Sequence, residues 1–250
     1  MAAILAFGVA VVAGAMNAVA GGGSLISFPT LIWLGVPPII ANATNTTALV
    51  PGTVASVWGY RRELRGSDPR VFALLVPSVI GAIIGALLLY QTPSDVFDRL
   101  VPILILFATF LFMIQAPLQR RFNLTALHEA RSHWLSWTML FQFFVGLYGG
   151  YFGAGIGILM LAALSMIGHT NIHQMNALKN ILAACINAIA AAYFAWVGLV
   201  IWNIAAIMAV GAILGGMAGT ALAQRIGQTA VRRMIVVIGI GMALTLMFRL

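Results

Sequence analysis

Two sets of polar side chains, each on an otherwise apolar segment, have the chemistry to bind a small anion. Within each set the spacing is helical, so the side chains share one face of a helix. The first set is Asn42, Asn45, Thr46, Thr53 and Ser56, and the second is Asn176, Lys179, Asn180 and Asn187. Amide groups and an ammonium donate hydrogen bonds. Two such faces near each other could surround a small oxyanion, although each Asn or Thr alone could equally join two helices.

Lys179 is the one full charge that lies inside an apolar segment. An ionisable side chain in a membrane is costly and is a functional residue by default, but a lysine can also extend to the interface or bind backbone carbonyls. The acidic residues all fall in loops or at predicted helix ends: Glu63, Asp68, Asp95, Asp98 and Glu129. Without an intramembrane carboxylate we expect no sodium or metal site, and a lone buried lysine favours an anion.

Glycine-rich sequences precede both polar segments and predict breaks in the helical backbone. They are NAVAGGGSLISFP at residues 17 to 29 and GGYFGAG at residues 149 to 155, followed by short apolar runs at 24 to 35 and 155 to 168. Hydrocarbon cannot satisfy freed backbone groups, so a break at membrane depth must face protein or water. The half-helices that begin at Ser24 and Ile156 would then offer N–H donors to an anion.

The predicted substrate-binding residues combine the breaks with the polar faces. They are Gly22, Gly23, Ser24, Asn42, Asn45, Thr46, Gly155, Asn176, Lys179 and Asn180. Glycines in membrane helices can instead permit close helix packing. We expect that role for the glycines at four-residue spacing, which are Gly81, Gly85, Gly211, Gly215 and Gly219.

Two other interpretations of the first glycine cluster fail. A signal peptide would carry a basic residue ahead of its apolar stretch, and none is present. A phosphate-binding loop would continue into Lys-Ser or Lys-Thr, which does not follow the glycines.

The elements that position these residues must be membrane helices. Hydrophobic residues make up 62% of the 250 and charged residues only 7%, and mean hydropathy is +1.04, whereas about a quarter of residues are charged in soluble domains. Several apolar runs reach the about 20 residues that a spanning helix needs. The single cysteine, Cys185, excludes a disulfide within the chain.

An internal repeat organises the runs. A shift of 132 residues lays GAMNAVAGGGSLI on GLYGGYFGAGIGI, and a shift of 134 lays PSVIGAIIGALLL on GAILGGMAGTALA. If residues 4 to 35 and 134 to 168 each enter and leave by one side, ten of the thirteen basic residues fall in the loops 61 to 70, 116 to 133 and 224 to 233. Such asymmetry identifies the cytoplasmic side.

We therefore predict an all-α polytopic membrane protein of two inverted repeats, each a glycine-broken re-entrant helical hairpin plus three transmembrane helices. The first repeat is 1–115, the cytoplasmic connection 116–133, and the second repeat 134–250. Eight full transmembrane helices are the alternative, which divides the basic residues less unequally, eight against four.

The segment GGGSLISFPTLIWLGVPPIIANATNTTALVPGTVASVWGYRREL and its weaker echo, GYFGAGIGILMLAALSMIGHTNIHQMNALKNILAACINAIAAAYF, resemble the sulfite exporter TauE/SafE family of membrane permeases. The resemblance extends over nearly the whole chain. It implies a place in the bacterial or archaeal cytoplasmic (inner) membrane, and export or uptake of sulfite, sulfonates or related sulfur oxyanions.

The predicted function is a permease for a small sulfur-containing anion, with no cofactor. A passive anion channel, a transporter of another small organic anion and a scaffold are the alternatives. An enzyme is not expected, because Ser24 and His173 have no neighbouring acid or base to complete a catalytic triad. The expected partners are the substrate and the lipid bilayer, with proton coupling left open. Nucleic acid is not expected despite the net charge of +8, because the arginines lie in short loops.

Overall fold

The computed structural model describes residues 1–19, 21–64, 69–124, 133–166 and 171–223, and every regular element in these ranges is helical. The helices are α1 (Ala2–Val19), α2 (Ser24–Trp33), α3 (Pro38–Gly59), α4 (Leu75–Gln91), α5 (Ser94–Leu124), α6 (His133–Tyr151), α7 (Ile156–Met166), α8 (Ile172–Trp196) and α9 (Trp202–Ala223), with a 3₁₀ helix, Pro69–Leu74, before α4. The prediction of an all-α protein is confirmed over this part of the chain.

Helix length separates spanning elements from short ones. Four described segments are long and apolar enough to cross a membrane: Ala2–Val19, Val71–Gln91, His173–Trp196 and Trp202–Ala221. α2 and α7 have only 10 and 11 residues. At about 1.5 Å per residue they cover roughly half of a hydrocarbon core about 30 Å thick. Both begin where the sequence predicts, at Ser24 and Ile156.

Local sequence explains where the two polar helices begin. Pro38 is the first residue of α3, a position where its missing N–H costs nothing. The side chain of Asn171 caps α8 by accepting the N–H of His173 at 3.0 Å and that of Gln174 at 3.3 Å, which satisfies donors that the helix leaves free. His173 itself is exposed.

Glycines align α1 and α3 with α9. A Cβ on Gly211 would lie 2.6 Å from the carbonyl of Phe7, and one on Gly219 would lie 2.6 Å from Ala15. Numbering rises in both helices together, so α1 and α9 are parallel. Gly52 packs against Ala212 in the same way and Gly59 packs against Thr220, which makes α3 parallel to α9 as well.

A second close pair consists of α4 and α6. A Cβ on Gly146 would lie 2.6 Å from the carbonyl of Ser78, and Gly150 contacts Ala82. These two helices are therefore also parallel. The predicted packing role is confirmed for all five glycines, because Gly81 and Gly85 meet the α6 backbone while Gly211, Gly215 and Gly219 meet that of α1.

The remaining contacts show that the helices form two groups of opposite direction. Tyr151, at the end of α6, bonds through its carbonyl to Asn42 near the start of α3 and through its hydroxyl to Thr92 just after α4. Thr44 of α3 accepts the N–H of Ile201, which follows α8. Helices α1, α3 and α9 thus run one way, and α4, α6 and α8 run the other.

Several sequence predictions fall outside the described residues. They are the last apolar run at 229 to 248, the basic loop 224 to 233, and residues 125 to 132 of the connection.

Candidate substrate-binding site

The first break separates α1 from α2 at Gly21. Its φ of +81° is in the left-handed region, which glycine adopts without steric cost. The Gly21 N–H donates to the Met16 carbonyl at 3.0 Å, a bond that closes many helix ends. The chain then folds back, so that Gly23 donates its N–H to the Asn17 side chain at 2.7 Å.

The second break has the same construction. Gly153 and Gly155 have φ values of +77° and +78°, and the Gly153 N–H donates to the carbonyl of Tyr148 at 3.1 Å. The Tyr148 hydroxyl reaches across the break and donates to the Ala154 carbonyl at 2.8 Å. Both predicted breaks in the helical backbone are therefore confirmed.

The two breaks touch each other. A Cβ on Gly21 would lie 2.7 Å from the Cα of Gly157, in the first turn of α7. Nearby, the ring of Phe28 in α2 meets the ring of Phe152 edge to face, with centroids 5.2 Å apart. A change in the backbone at one break would therefore displace the residues of the other break.

Lys179 is fully buried at the end of α1. Its Nζ donates to the carbonyl of Asn17 at 3.1 Å and to that of Ala18 at 3.5 Å. Carbonyls in the last turn of a helix have no partner within the helix and carry partial negative charge. A lysine without an anion-binding role could contact backbone carbonyls or extend to the membrane interface. In the structure Lys179 contacts backbone carbonyls and does not extend to an interface.

Hydrogen-bond donors exceed acceptors at the Ala18 carbonyl. The Tyr60 hydroxyl, the Lys179 Nζ and the Asn180 Nδ2 all lie 3.5 Å from this one oxygen. A carbonyl oxygen has two lone pairs, and N–H···O distances in proteins are normally about 2.7–3.2 Å. One oxygen therefore cannot satisfy all three donors. These donors remain available to an added acceptor such as an anion.

A related arrangement surrounds the end of α6. The Nδ2 of Asn42 donates to the carbonyl of Tyr151 at 2.9 Å, while its Oδ1 is buried without a partner. Asn45 and Asn176 also have buried Oδ1 atoms without a partner. Helix α8 thus contacts the end of α1 at the first break, and α3 contacts the end of α6 at the second break.

The structure brings together only part of the predicted residue set. Among the described residues, no hydrogen bond joins the predicted residues of α3 to those of α8. Thr46 is buried, whereas Thr53 and Ser56 donate to carbonyls of their own helix. The remaining predicted residues lie at the breaks. Gly22, Gly23 and Gly155 are buried there, and Ser24 is half-buried.

Two residues beside Lys179, Asn17 and Tyr60, are not among the residues predicted from the sequence. Asn17 joins the break to Lys179, because its side chain accepts from Gly23 and its carbonyl accepts from Nζ. It opens the first glycine-rich stretch, which was a signal available in the sequence. Tyr60 is fully buried but stands next to Arg61 and Arg62 at the end of its apolar run, so it is indistinguishable from an interfacial tyrosine.

No group of three His, Cys, Asp or Glu side chains that could hold a metal ion occurs in the part of the chain that the structure describes.

Comparison with known proteins finds similar sequences along nearly the whole chain. The family model described as Sulfite exporter TauE/SafE matches residues 6–246. The chain is 28% identical over 243 residues to a "Probable membrane transporter protein" of Haemophilus influenzae, covering 97% of this chain and 93% of that protein. It is 28% identical over 243 residues to the "Probable membrane transporter protein YfcA" of Escherichia coli K12, covering 97% and 88%. It is also 25% identical over 242 residues to the "Probable membrane transporter protein ORF9" of Sinorhizobium sp, covering 96% and 90%. No solved structure matches the chain.

Proposed function

The chain belongs to the sulfite exporter TauE/SafE family of membrane transporters, and from this membership we propose that it moves a small sulfur-containing anion, such as sulfite or an organosulfonate, across the cytoplasmic membrane. It is a multi-pass membrane protein.

One observation carries the choice of an anion. Tyr60, Lys179 and Asn180 present three donors to the single oxygen of Ala18, all at 3.5 Å. A sulfonate or sulfite group has three oxygens, each able to accept more than one hydrogen bond. Placed beside Ala18, it would accept from all three donors and lie next to the positive charge of Lys179. Such charge-assisted hydrogen bonds are about twice as strong as neutral ones.

The first break supplies the other wall of the proposed site. Gly22, Gly23 and Ser24 form the turn into α2, and Asn17 fixes that turn relative to Lys179. The N-terminus of a short helix favours an anion through its partial positive charge. Here the N–H groups of Gly23, Leu25 and Ile26 already donate within the turn, so the helix end contributes its charge rather than these donors. Asn176, one turn before Lys179 on α8, completes the predicted set on this side.

Asn42, Asn45, Thr46 and Gly155 belong to the proposal as the counterpart at the second break. The repeat relation equates α1 with α6, α3 with α8 and α4 with α9, and each of these pairs is antiparallel. Opposite direction of equivalent helices supports two inverted repeats, 1–115 and 134–250, joined by a cytoplasmic connection at 116–133. Transporters with this symmetry place the substrate between the repeats.

The helix directions also support re-entrant hairpins. α1 and α3 run the same way, so the chain must return between them through α2, and residues ahead of α1 lie on the same side as the start of α3. In the alternative of eight crossings, α1 and α6 span the membrane and the short helices α2 and α7 do not. That topology would make α1 and α3 antiparallel. α6 and α8 also run the same way, which extends the argument to the second repeat.

Flux measurements in proteoliposomes test the proposed function. We expect saturable uptake of a labelled two-carbon sulfonate and of sulfite, with competition between them, and loss of uptake in Lys179→Met. A matched control is Gln142→Met, which removes another fully buried polar side chain, one bonded to Ser78 away from the breaks. Uptake should survive in that variant.

Counterflow distinguishes a carrier from a channel. Proteoliposomes are loaded with unlabelled sulfonate and diluted into labelled sulfonate. A carrier accumulates the label inside them against its gradient, whereas a channel only equilibrates it. Equilibration without accumulation would favour the passive anion channel. Absence of any anion flux from folded protein would reject the transport proposal.

A further inference from the structure

The hydrogen bonds of Lys179 match a neutral amine better than an ammonium. A neutral amine has two N–H donors. For these, Nζ has the carbonyl of Asn17 at 3.1 Å and, at 3.5 Å, the carbonyl of Ala18, which it shares with Tyr60 and Asn180. An ammonium has three donors, and the described residues offer Nζ no third acceptor. The third N–H of the charged form therefore lacks a partner until another acceptor arrives.

Charge balance around Lys179 leads to the same point. The elements packed against α8 are α1, α3, α4, α6 and α7, and none of them contains an Asp or Glu. Their titratable side chains are tyrosines, apart from His133 at the start of α6: Tyr60 just after α3, Tyr90 in α4, and Tyr148 and Tyr151 in α6. α8 itself adds the exposed His173, together with Cys185 and Tyr193.

Glu63 lies one turn beyond Tyr60, and one of its carboxylate oxygens is buried without a hydrogen-bond partner. It forms no salt bridge with Lys179 in the structure, and the apolar run 229 to 248 contains no acidic residue. A buried ammonium without a counter-charge is strongly unfavourable in a protein interior or a membrane. An anion at the three donors would supply that counter-charge.

We propose that Lys179 binds one proton together with each substrate anion, so that the two enter the site as a neutral pair. The inference rests on the proposed function, because it takes the anion as the ligand beside Lys179. The proton comes from solution and forms the third N–H bond of the amine, and that N–H donates to an oxygen of the anion. Transport is then coupled to protons without an intramembrane carboxylate.

The sequence offers a direct assay. Lys179 is the only lysine in the chain, so selective ¹⁵N and ¹³C labelling of lysine gives one side-chain NMR signal from the purified protein in micelles. The probe is 2-hydroxyethanesulfonate, which stays ionised across the working pH range and so cannot itself supply or take up the proton. We expect an amine signal in the free protein and an ammonium signal at saturation.

Calorimetric titration gives the stoichiometry. Titrations in two buffers of unlike ionisation heat should show uptake of about one proton per sulfonate, and affinity should fall about tenfold for each unit of pH rise. Lys179→Arg keeps the charge but cannot release a proton. Its affinity should be independent of pH, with no proton uptake.

The outcomes separate this inference from the proposed function. Sulfonate binding with an ammonium signal in both states, or without proton uptake, overturns proton binding and leaves the anion site standing. Absence of sulfonate binding at every pH overturns both. The wild-type NMR measurement decides the inference even where Lys179→Arg fails to fold.

Discussion

Substitution of Gly21 by alanine tests whether the contact between the two breaks stabilises the fold. Two costs add. Left-handed backbone, here with φ of +81°, costs a residue with a Cβ about 1–2 kcal/mol. The new Cβ would also lie 2.7 Å from the Cα of Gly157, and relieving such overpacking costs typically about 1–3 kcal/mol. We expect Gly21→Ala to lower the free energy of unfolding by about 2–5 kcal/mol.

Gly35→Ala is the matched control. Gly35 has a φ of +86°, yet a Cβ there meets nothing within 4 Å. It should therefore incur the backbone cost alone, about 1–2 kcal/mol, and keep sulfonate uptake. The measurement is reversible unfolding in mixed detergent micelles, followed by tryptophan fluorescence, with uptake measured in parallel. Equal destabilisation by the two substitutions, with uptake retained in both, would refute the proposed coupling between the breaks.

Tyr60→Phe removes one of three donors at the Ala18 carbonyl, so KM for sulfonate uptake should rise about 2- to 10-fold with little loss of stability; an unchanged KM would remove Tyr60 from the site. Gly215→Leu should lower the melting temperature, because Gly215 packs on the α1 backbone. Gly8→Leu is the control and should not lower it, because a Cβ on Gly8 meets nothing within 4 Å. Equal melting temperatures of the two variants would contradict the packing of Gly215. Cysteines introduced at positions 67 and 228 should both be labelled from the cytoplasm by an impermeant reagent, and labelling from opposite sides would reject the hairpin topology.

Helix breaks and helix packing could be predicted from sequence because they depend on local chemistry. Three successive glycines cannot sustain a helix as other residues do, and α2 indeed begins at Ser24. Glycines four apart lie on one face of a helix, and Gly211, Gly215 and Gly219 do pack on α1. The overall membrane character follows from composition in the same direct way.

The detailed arrangement of the site could not be predicted, because it depends on which helix ends meet. The spacing of Asn42 and Lys179 puts each residue on a polar face, but only the fold shows that Asn42 bonds to Tyr151 and Lys179 to Asn17 and Ala18. Sequence spacing therefore suggested two faces directed at one anion, whereas the hydrogen bonds connect them to different breaks. Burial is a tertiary property, so the sequence does not identify Tyr60 as a residue of the site.

Locating a bound sulfonate would test the proposed binding site directly. We would determine the structure of the complex with 2-bromoethanesulfonate and find the bromine by its anomalous scattering and the sulfonate by its density. We expect sulfonate oxygens within hydrogen-bond distance of Lys179 Nζ, Asn180 Nδ2 and the Tyr60 hydroxyl, beside the Ala18 carbonyl. A sulfonate bound elsewhere, with Lys179 still bonded only to the carbonyls of Asn17 and Ala18, would contradict it.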